Sequence, residues 1–240
     1  MLWLRSFLFN LAMYVTAISV GLVATPALFL PRAAAVWVIS TLSRLIVWLL
    51  GAIAGTHYEV RGKIPEGAVL VASKHQSMWD TIIMVAILKD PAIVLKRELL
   101  WIPYYGWFSQ KANMIAIDRS SGASALRRMI AQAKAAFALN RPIVIFPEGT
   151  RAAPGAKLDY KPGVAALYRQ LGVPCIPAAV NSGLFWPRRK MLRKPGTIVL
   201  EFLEPIPAGL DRHAFMAALE TSIEGATTRL LAEAGHAVDN

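Results

Sequence analysis

The chain has 240 residues, with 26 Lys and Arg against 15 Asp and Glu (net +11), 55% apolar residues and a mean hydropathy of +0.45. A length of this order suits one domain better than two, and so apolar a composition with only 17% charged residues excludes disorder and favours contact with a membrane. The excess of cations favours anionic partners (lipid headgroups, phosphates or nucleic acid) without choosing among them, while a single cysteine, Cys175, can close neither an intrachain disulfide nor a zinc cluster, so no oxidising compartment is required.

From Phe7 to Leu30 the chain is uncharged, and as a helix at ~1.5 Å per residue this stretch is about 36 Å long, enough to span a bilayer. A secretory signal fits poorly, because its apolar region runs to ~7–15 residues and no small-x-small cleavage site separates this stretch from the next. A retained anchor is expected instead. The second stretch, Ala33 to Gly55, is interrupted only by Arg44, which at a bilayer centre costs about 2.5–3.5 kcal/mol on insertion. Pro26, Pro31 and Arg32 break the chain between them, so residues 1–56 are expected to form an anchoring helical hairpin. It either crosses twice or dips into one leaflet, returning the chain to its starting side. Gly51 and Gly55 have the small-xxx-small spacing of close helix approach, and equally that of two incidental glycines at a helix end.

No acidic residue precedes Glu59, so the net charge falls to +8 beyond residue 56, once Arg5, Arg32 and Arg44 are passed. Residues 57–240 read as one α/β domain. Short β-branched runs at Tyr58–Arg61, Val69–Ala72, Ile93–Leu95, Met114–Ile117, Ile143–Phe146, Ile176–Val180 and Thr197–Phe202 predict about seven strands. Helical patterns lie between them near Trp79–Leu88, Ser121–Leu139, Val164–Leu171 and His213–Ala234, so a mixed or largely parallel sheet flanked by helices is expected.

Three segments carry chemistry. In Lys74-His75-Gln76-Ser77-Met78-Trp79-Asp80, one continuous helix would put His75 and Asp80 on different faces. With His75 in a loop and Asp80 in the first helical turn, the carboxylate reaches back to one imidazole nitrogen and leaves the other as a base. A structural alternative makes Ser77 a helix cap and Asp80 a carboxylate favoured by the helix dipole. In Ile143-Val144-Ile145-Phe146-Pro147-Glu148-Gly149-Thr150-Arg151, a buried strand ends in a turn that projects Glu148, Thr150 and Arg151, whose planar fork suits a phosphate. The alternative is a polar turn in which Arg151 pairs with Glu148. In Leu95-Lys96-Arg97-Glu98-Leu99-Leu100-Trp101-Ile102-Pro103-Tyr104-Tyr105-Gly106-Trp107, two cations meet an aromatic segment that either holds a phosphate beside an apolar tail, lies against the membrane, or packs over the sheet. Further on, Arg188-Arg189-Lys190-Met191-Leu192-Arg193-Lys194 places five cations in seven residues, a pattern for an anionic membrane surface, an acidic carrier protein, or a merely solvated loop. His57, His213 and His236 have no comparable carboxylate nearby in sequence and read as structural or surface residues.

Jointly these segments resemble the glycerolipid acyltransferases. His75-Gln76-Ser77-Met78-Trp79-Asp80 is similar to their HxxxxD motif, and Phe146-Pro147-Glu148-Gly149-Thr150-Arg151 matches their Phe-Pro-Glu-Gly-Thr-Arg motif throughout. Lys96-Arg97-Glu98-Leu99 with Pro103 and Gly106 resembles the block between them, and Val173-Pro174-Cys175-Ile176-Pro177-Ala178 the later apolar Val-Pro-x-x-Pro block. The similarity runs from about residue 55 to 205 and is greatest to bacterial members that make phosphatidic acid from lysophosphatidic acid.

The resemblance implies transfer of a fatty acyl group from a thioester of acyl carrier protein or coenzyme A to the 2-hydroxyl of lysophosphatidic acid. His75 is then the general base, oriented by Asp80, with no covalent intermediate. Lys96 and Arg151 are implied phosphate ligands, Glu148, Gly149 and Thr150 shape the acceptor site, and Arg97 is a further candidate. No Gly-x-Ser-x-Gly elbow, His-Glu-x-x-His, P-loop or Gly-x-Gly-x-x-Gly occurs, so no metal or nucleotide cofactor is expected. The implied partners are membrane lipids, the lysolipid and the thioester donor, and not nucleic acid. Acyl-donor pools are cytosolic, so the active site is expected on the cytoplasmic face of a bacterial inner membrane. The alternatives are an acyltransferase for lyso-ornithine lipid or lysophosphatidylglycerol, or a membrane protein that binds anionic lipids without catalysis.

Overall fold

Alternation of short β-branched runs with apolar-faced helices dictates a layered α/β arrangement, and a computed structural model of the protein describes residues 1–118 and 122–236 in that form. The apolar N-terminus forms helix α1 (Leu2–Val23), a 3-10 turn (Thr25–Phe29) and helix α2 (Arg32–Leu49), which runs on into a π-helical turn (Leu50–Ala54). Arg32, expected to help break the chain, instead opens α2, and its fork grips Asp90 (Nη1 to Oδ1, 2.8 Å).

Seven strands follow: β1 (Thr56–Arg61), β2 (Leu70–Ser73), β3 (Ala92–Lys96), β4 (Ile115–Ile117), β5 (Ile143–Ile145), β6 (Cys175–Val180) and β7 (Gly196–Phe202). All lie where the sequence predicts them. They form one sheet of order β1-β7-β6-β2-β5-β3-β4, parallel throughout except between β6 and β7. Helices α3 (Trp79–Ile87), α5 (Gly122–Ala138), α6 (Gly163–Leu171) and α7 (Arg212–Glu233) match expectation, although the expected start at Ser121 lies outside the described residues. Helix α4 (Tyr105–Lys111) was not expected. Pro103 and Gly106 obscure its pattern, and Gly106 is required because a Cβ there would lie 2.0 Å from the Leu100 carbonyl oxygen.

Successive strand residues face opposite sides, and both sides are covered, as the parallel part of the sheet demands. Val71, Ile93 and Val144 pack with Phe9 and Met13 of α1, Ile46 and Val47 of α2, and Trp79 and Ile83 of α3. Leu70, Ala72 and Ile143 pack against α5, α6 and α7 through Met129, Leu167 and Phe215. The hairpin therefore shares one layer of the core. Both its helices are long and apolar enough to cross a membrane, yet only 28% and 33% of them is buried, unlike core helices. Trp3, Phe7, Ile18, Phe29, Trp37 and Trp48 remain exposed.

The inner face of α1 also carries buried Ser6 and Asn10, which hold the β6–β7 connection. The Ser6 hydroxyl accepts from the Arg193 N–H (2.9 Å), Asn10 Nδ2 donates to the Met191 carbonyl (2.8 Å), and Asn10 Oδ1 accepts from the Arg193 guanidinium (2.7 Å). Arg193, one of the five loop cations, is thus buried, with its guanidinium over Trp186 (4.4 Å) and near Phe9 (5.9 Å). Burial pushes its pKa down to about 10.

Candidate active site

Strands β2, β5, β6 and β3 run in one direction and end at one edge of the sheet, the edge where open α/β sheets hold ligands. His75 follows β2 and precedes α3, while Asp80 lies in the first turn of α3. The carboxylate therefore reaches back, with His75 Nδ1 2.9 Å from Asp80 Oδ2. Asp80 is 1% exposed. Its Oδ2 also accepts from the N–H groups of Gln76 (2.6 Å) and Ser77 (2.8 Å), and Oδ1 accepts from the hydroxyls of Ser77 (3.3 Å) and Ser182. Ser77 Oγ in turn accepts from the Trp79 N–H (3.0 Å), but the N-cap position of α3 is Met78 and no side chain caps the helix, so Ser77 turns the chain into α3 without being its cap. An ionised Asp80 only accepts, which assigns the proton to Nδ1 and leaves Nε2 as a lone-pair acceptor. The imidazole stacks on Phe146 (4.1 Å between centroids).

The turn after β5 holds His75 from below. Glu148 Oε2 accepts from the His75 N–H (2.9 Å), and the Ala152 N–H donates to the His75 carbonyl (2.8 Å). Glu148 is itself buried, its other oxygen paired with Lys74 Nζ (2.8 Å). Lys74 also pairs with Glu224 of α7 (2.7 Å), which accepts from the Tyr160 hydroxyl (2.8 Å). Burial pushes the Glu148 carboxyl up to about 7, against the pull of Lys74 and the His75 N–H. Gly149 has φ +67, and its N–H closes the turn on the Phe146 carbonyl (2.9 Å). Thr150 and Arg151 are half-buried. Burial lowers the Arg151 pKa, the Asp80 carboxylate opposes it, and Arg188 and Arg189 add to it. The Arg151 carbonyl accepts from Arg188 (3.0 Å).

Lys96 and Arg97 are exposed where β3 gives way to a 3-10 turn (Arg97–Trp101). Arg97 pairs with Asp118 (3.1 Å). Among the described residues no hydrogen bond or ion pair joins Lys96 or Arg97 to His75, Asp80 or Arg151. The fold thus gathers His75, Asp80, Glu148, Gly149, Thr150 and Arg151, and leaves Lys96 and Arg97 elsewhere along the same edge.

Four further residues belong to this constellation without a role read for them from the sequence: Ser182, Glu224, Tyr160 and Lys74, the last quoted there only as the first residue of its segment. Ser182 is 102 residues from Asp80, and an apolar strand followed by Asn181-Ser182-Gly183 carries no local sign of that pairing. Ser77 and Ser182 are turned to Asp80, and Cys175 is buried in β6 with its thiol pushed up to about 12 by burial. No described contact gives His75 Nε2 a protein nucleophile to activate. The arrangement suits removal of a proton from a bound hydroxyl next to a guanidinium.

Residues 57–181 match the family described as Acyltransferase. The chain is 38% identical over 164 residues to the 1-acyl-sn-glycerol-3-phosphate acyltransferase of Pseudomonas aeruginosa, covering 68% of this chain and 64% of that protein. It is 29% identical over 168 residues to the protein of the same name from Cocos nucifera (68% and 53% covered), and 31% identical over 169 residues to the alpha form from Homo sapiens (68% and 60% covered). The chain thus spans less than two thirds of the length of these curated relatives. Its fold superposes on the crystal structure of the LPA acyltransferase PlsC from Thermotoga maritima with a TM-score of 0.79 at 22% identity, covering 96% of this chain and 98% of that one.

Proposed function

The chain belongs to the Acyltransferase family, and from that premise we propose that it transfers a fatty acyl group from an acyl carrier protein or coenzyme A thioester to the 2-hydroxyl of lysophosphatidic acid, giving phosphatidic acid. The names of its relatives support the acceptor. The observation that carries the chemistry is the His75 Nδ1 to Asp80 contact at 2.9 Å, which leaves Nε2 free. Nε2 takes the hydroxyl proton as the oxygen attacks the thioester carbonyl carbon. The new C–O bond forms, the C–S bond breaks, and the proton returns to the departing thiolate. Asp80 orients the ring and stabilises the imidazolium meanwhile. No enzyme-bound acyl group, metal or cofactor enters this sequence. Arg151 serves as a forked phosphate ligand, with Lys96 as a second cation at the same edge. Glu148 and Gly149 act by shaping the turn that carries Arg151. The two apolar helices support a reaction at a membrane, in this reading the cytoplasmic face of a bacterial inner membrane where thioester donors are available.

The test is transfer of a labelled acyl group by detergent-purified full-length protein, wild type beside His75→Ala, onto lysophosphatidic acid, lysophosphatidylglycerol and lyso-ornithine lipid, with each thioester supplied separately. Loss of general-base catalysis lowers turnover by about 10²–10⁴-fold. Product from lysophosphatidic acid that disappears in the mutant supports the reading. Product only from another lysolipid keeps the chemistry and changes the acceptor, and an unaffected mutant overturns the mechanism. Absence of product from every pair favours a lipid-binding protein.

A further inference from the structure

Of the cations between β6 and β7, Arg188, Arg189, Lys190 and Lys194 are exposed, and no ion pair among the described residues includes any of them. A loop whose only task is solubility needs no frame, but this one is held in place. Asn10 grips the Met191 carbonyl, Ser6 grips the Arg193 backbone, and the Arg193 side chain is buried over Trp186. The frame presents Met191, 52% exposed, between the exposed cations Arg188, Arg189 and Lys190 on one side and Lys194 on the other. An exposed apolar side chain flanked in sequence by cations has the composition of a membrane-surface segment. It suits the boundary of a bilayer, where cations meet lipid phosphates and the apolar tip enters the acyl region. The helix that supplies the frame carries exposed Trp3, Leu4, Phe7 and Leu8 around Ser6, so the loop continues an apolar membrane-type surface.

We propose that the Arg188–Lys194 loop is a second membrane contact, docking on anionic phospholipid headgroups with Met191 inserted at the headgroup boundary and α1 fixing its position. Charge alone would equally serve an acidic protein. The exposed Met191 and the continuity with α1 favour the bilayer. The proposal does not depend on which reaction the site performs.

The test places an environment-sensitive nitrobenzoxadiazole dye on Met191→Cys in the full-length protein, reconstituted in phosphatidylcholine vesicles with or without phosphatidylglycerol. Native Cys175 is fully buried, so the dye takes the introduced thiol. On the anionic vesicles the emission shifts to the blue and is quenched by brominated lipid chains, and raising the salt weakens both effects. Each cation contributes about fivefold to partitioning, so the combined Arg189→Gln, Lys190→Gln and Lys194→Gln change lowers the inserted population by up to roughly a hundredfold. A water-like spectrum on anionic vesicles overturns the proposal. So does a spectrum unchanged by the three substitutions, which would mean that the hairpin alone draws the loop inward. A blue shift that arises only on adding acyl carrier protein assigns the surface to that partner instead.

Discussion

At Asp80 a single buried carboxylate accepts hydrogen bonds from His75 Nδ1 and four further donors, so its geometry is set by the neighbours that crowd it. Ser182, in the 3-10 turn Ser182–Leu184 after β6, is the one donor from outside the segment that carries His75 and Asp80. Ser182→Ala removes a hydrogen bond to a charged acceptor, worth about 1.5–3 kcal/mol. It is expected to lower kcat several-fold while leaving KM for the acceptor unchanged, because the carboxylate that orients the His75 ring loses one of its anchors. Steady-state kinetics, in which kcat falls at constant KM, beside an unchanged thermal melt separate this from simple loss of fold. Cys175 makes a second case. Its thiol holds its proton to about 12 in the folded protein, against an ordinary value near ~8.5. The unfolded chain therefore releases a proton that the folded chain keeps, and stability falls as pH rises from ~8.5 towards 12. At pH ~8 the native protein is expected to resist alkylation that the denatured chain undergoes within minutes, read by mass spectrometry.

Elements were legible where their signal is local. Each strand is a β-branched run ending in polar or glycine-containing sequence, and each of α3, α5, α6 and α7 has an apolar stripe, so all were placed from sequence. Helix α4 was not, because its first turn has to contain Gly106 under the Leu100 carbonyl, a tertiary demand that looks like a helix breaker. The site divides in the same way. His75, Asp80 and the residues 148–151 stand in short motifs, whereas Lys74–Glu224, Ser182–Asp80 and the Asn10 clasp join residues far apart in sequence and leave no periodicity. Arg141 is a further example. Buried to 2% exposure, it donates to the carbonyls of Asp90 (3.1 Å), Ala112 (3.0 Å) and Asn113 (3.2 Å), and pairs with the Asp90 carboxylate that Arg32 of α2 also holds. It ties the α3–β3 connection, the end of α4 and the start of β5 to the hairpin. Arg141→Ala strands these acceptors and is expected to cost about 3–5 kcal/mol, a fall of roughly 6–20 °C in a detergent melt. The partly exposed Arg32 makes fewer such bonds, and Arg32→Ala should lower the melt by much less.

At the scale of the molecule, the hairpin is a wall of the core as well as an apolar surface. Phe9, Met13, Ile46 and Val47 cover Trp79 and Ile83 of α3, the helix that carries Asp80. A chain begun at residue 57 would expose that layer and lose the frame of the β6–β7 loop, whose Arg188 braces the Arg151 carbonyl. Its expected behaviour is aggregation or ANS binding, with acyl transfer lost even in mixed micelles, whereas an anchor of the tethering kind would leave a folded and active remainder. Size-exclusion chromatography of the truncated chain distinguishes these outcomes. The direction of β7 was not legible, since neither parallel nor antiparallel pairing marks a single strand. The pairing of β1 with β7, and the grip of Ser6 on Arg193 across 187 residues, have a consequence in time. At ~5–20 residues per second the ribosome delivers Arg193 roughly 10–40 s after Ser6. For that interval Ser6 and Asn10 keep only their bonds within α1 and β1 lacks β7, so the newborn hairpin stands without its clasp until the last strand arrives to close the sheet.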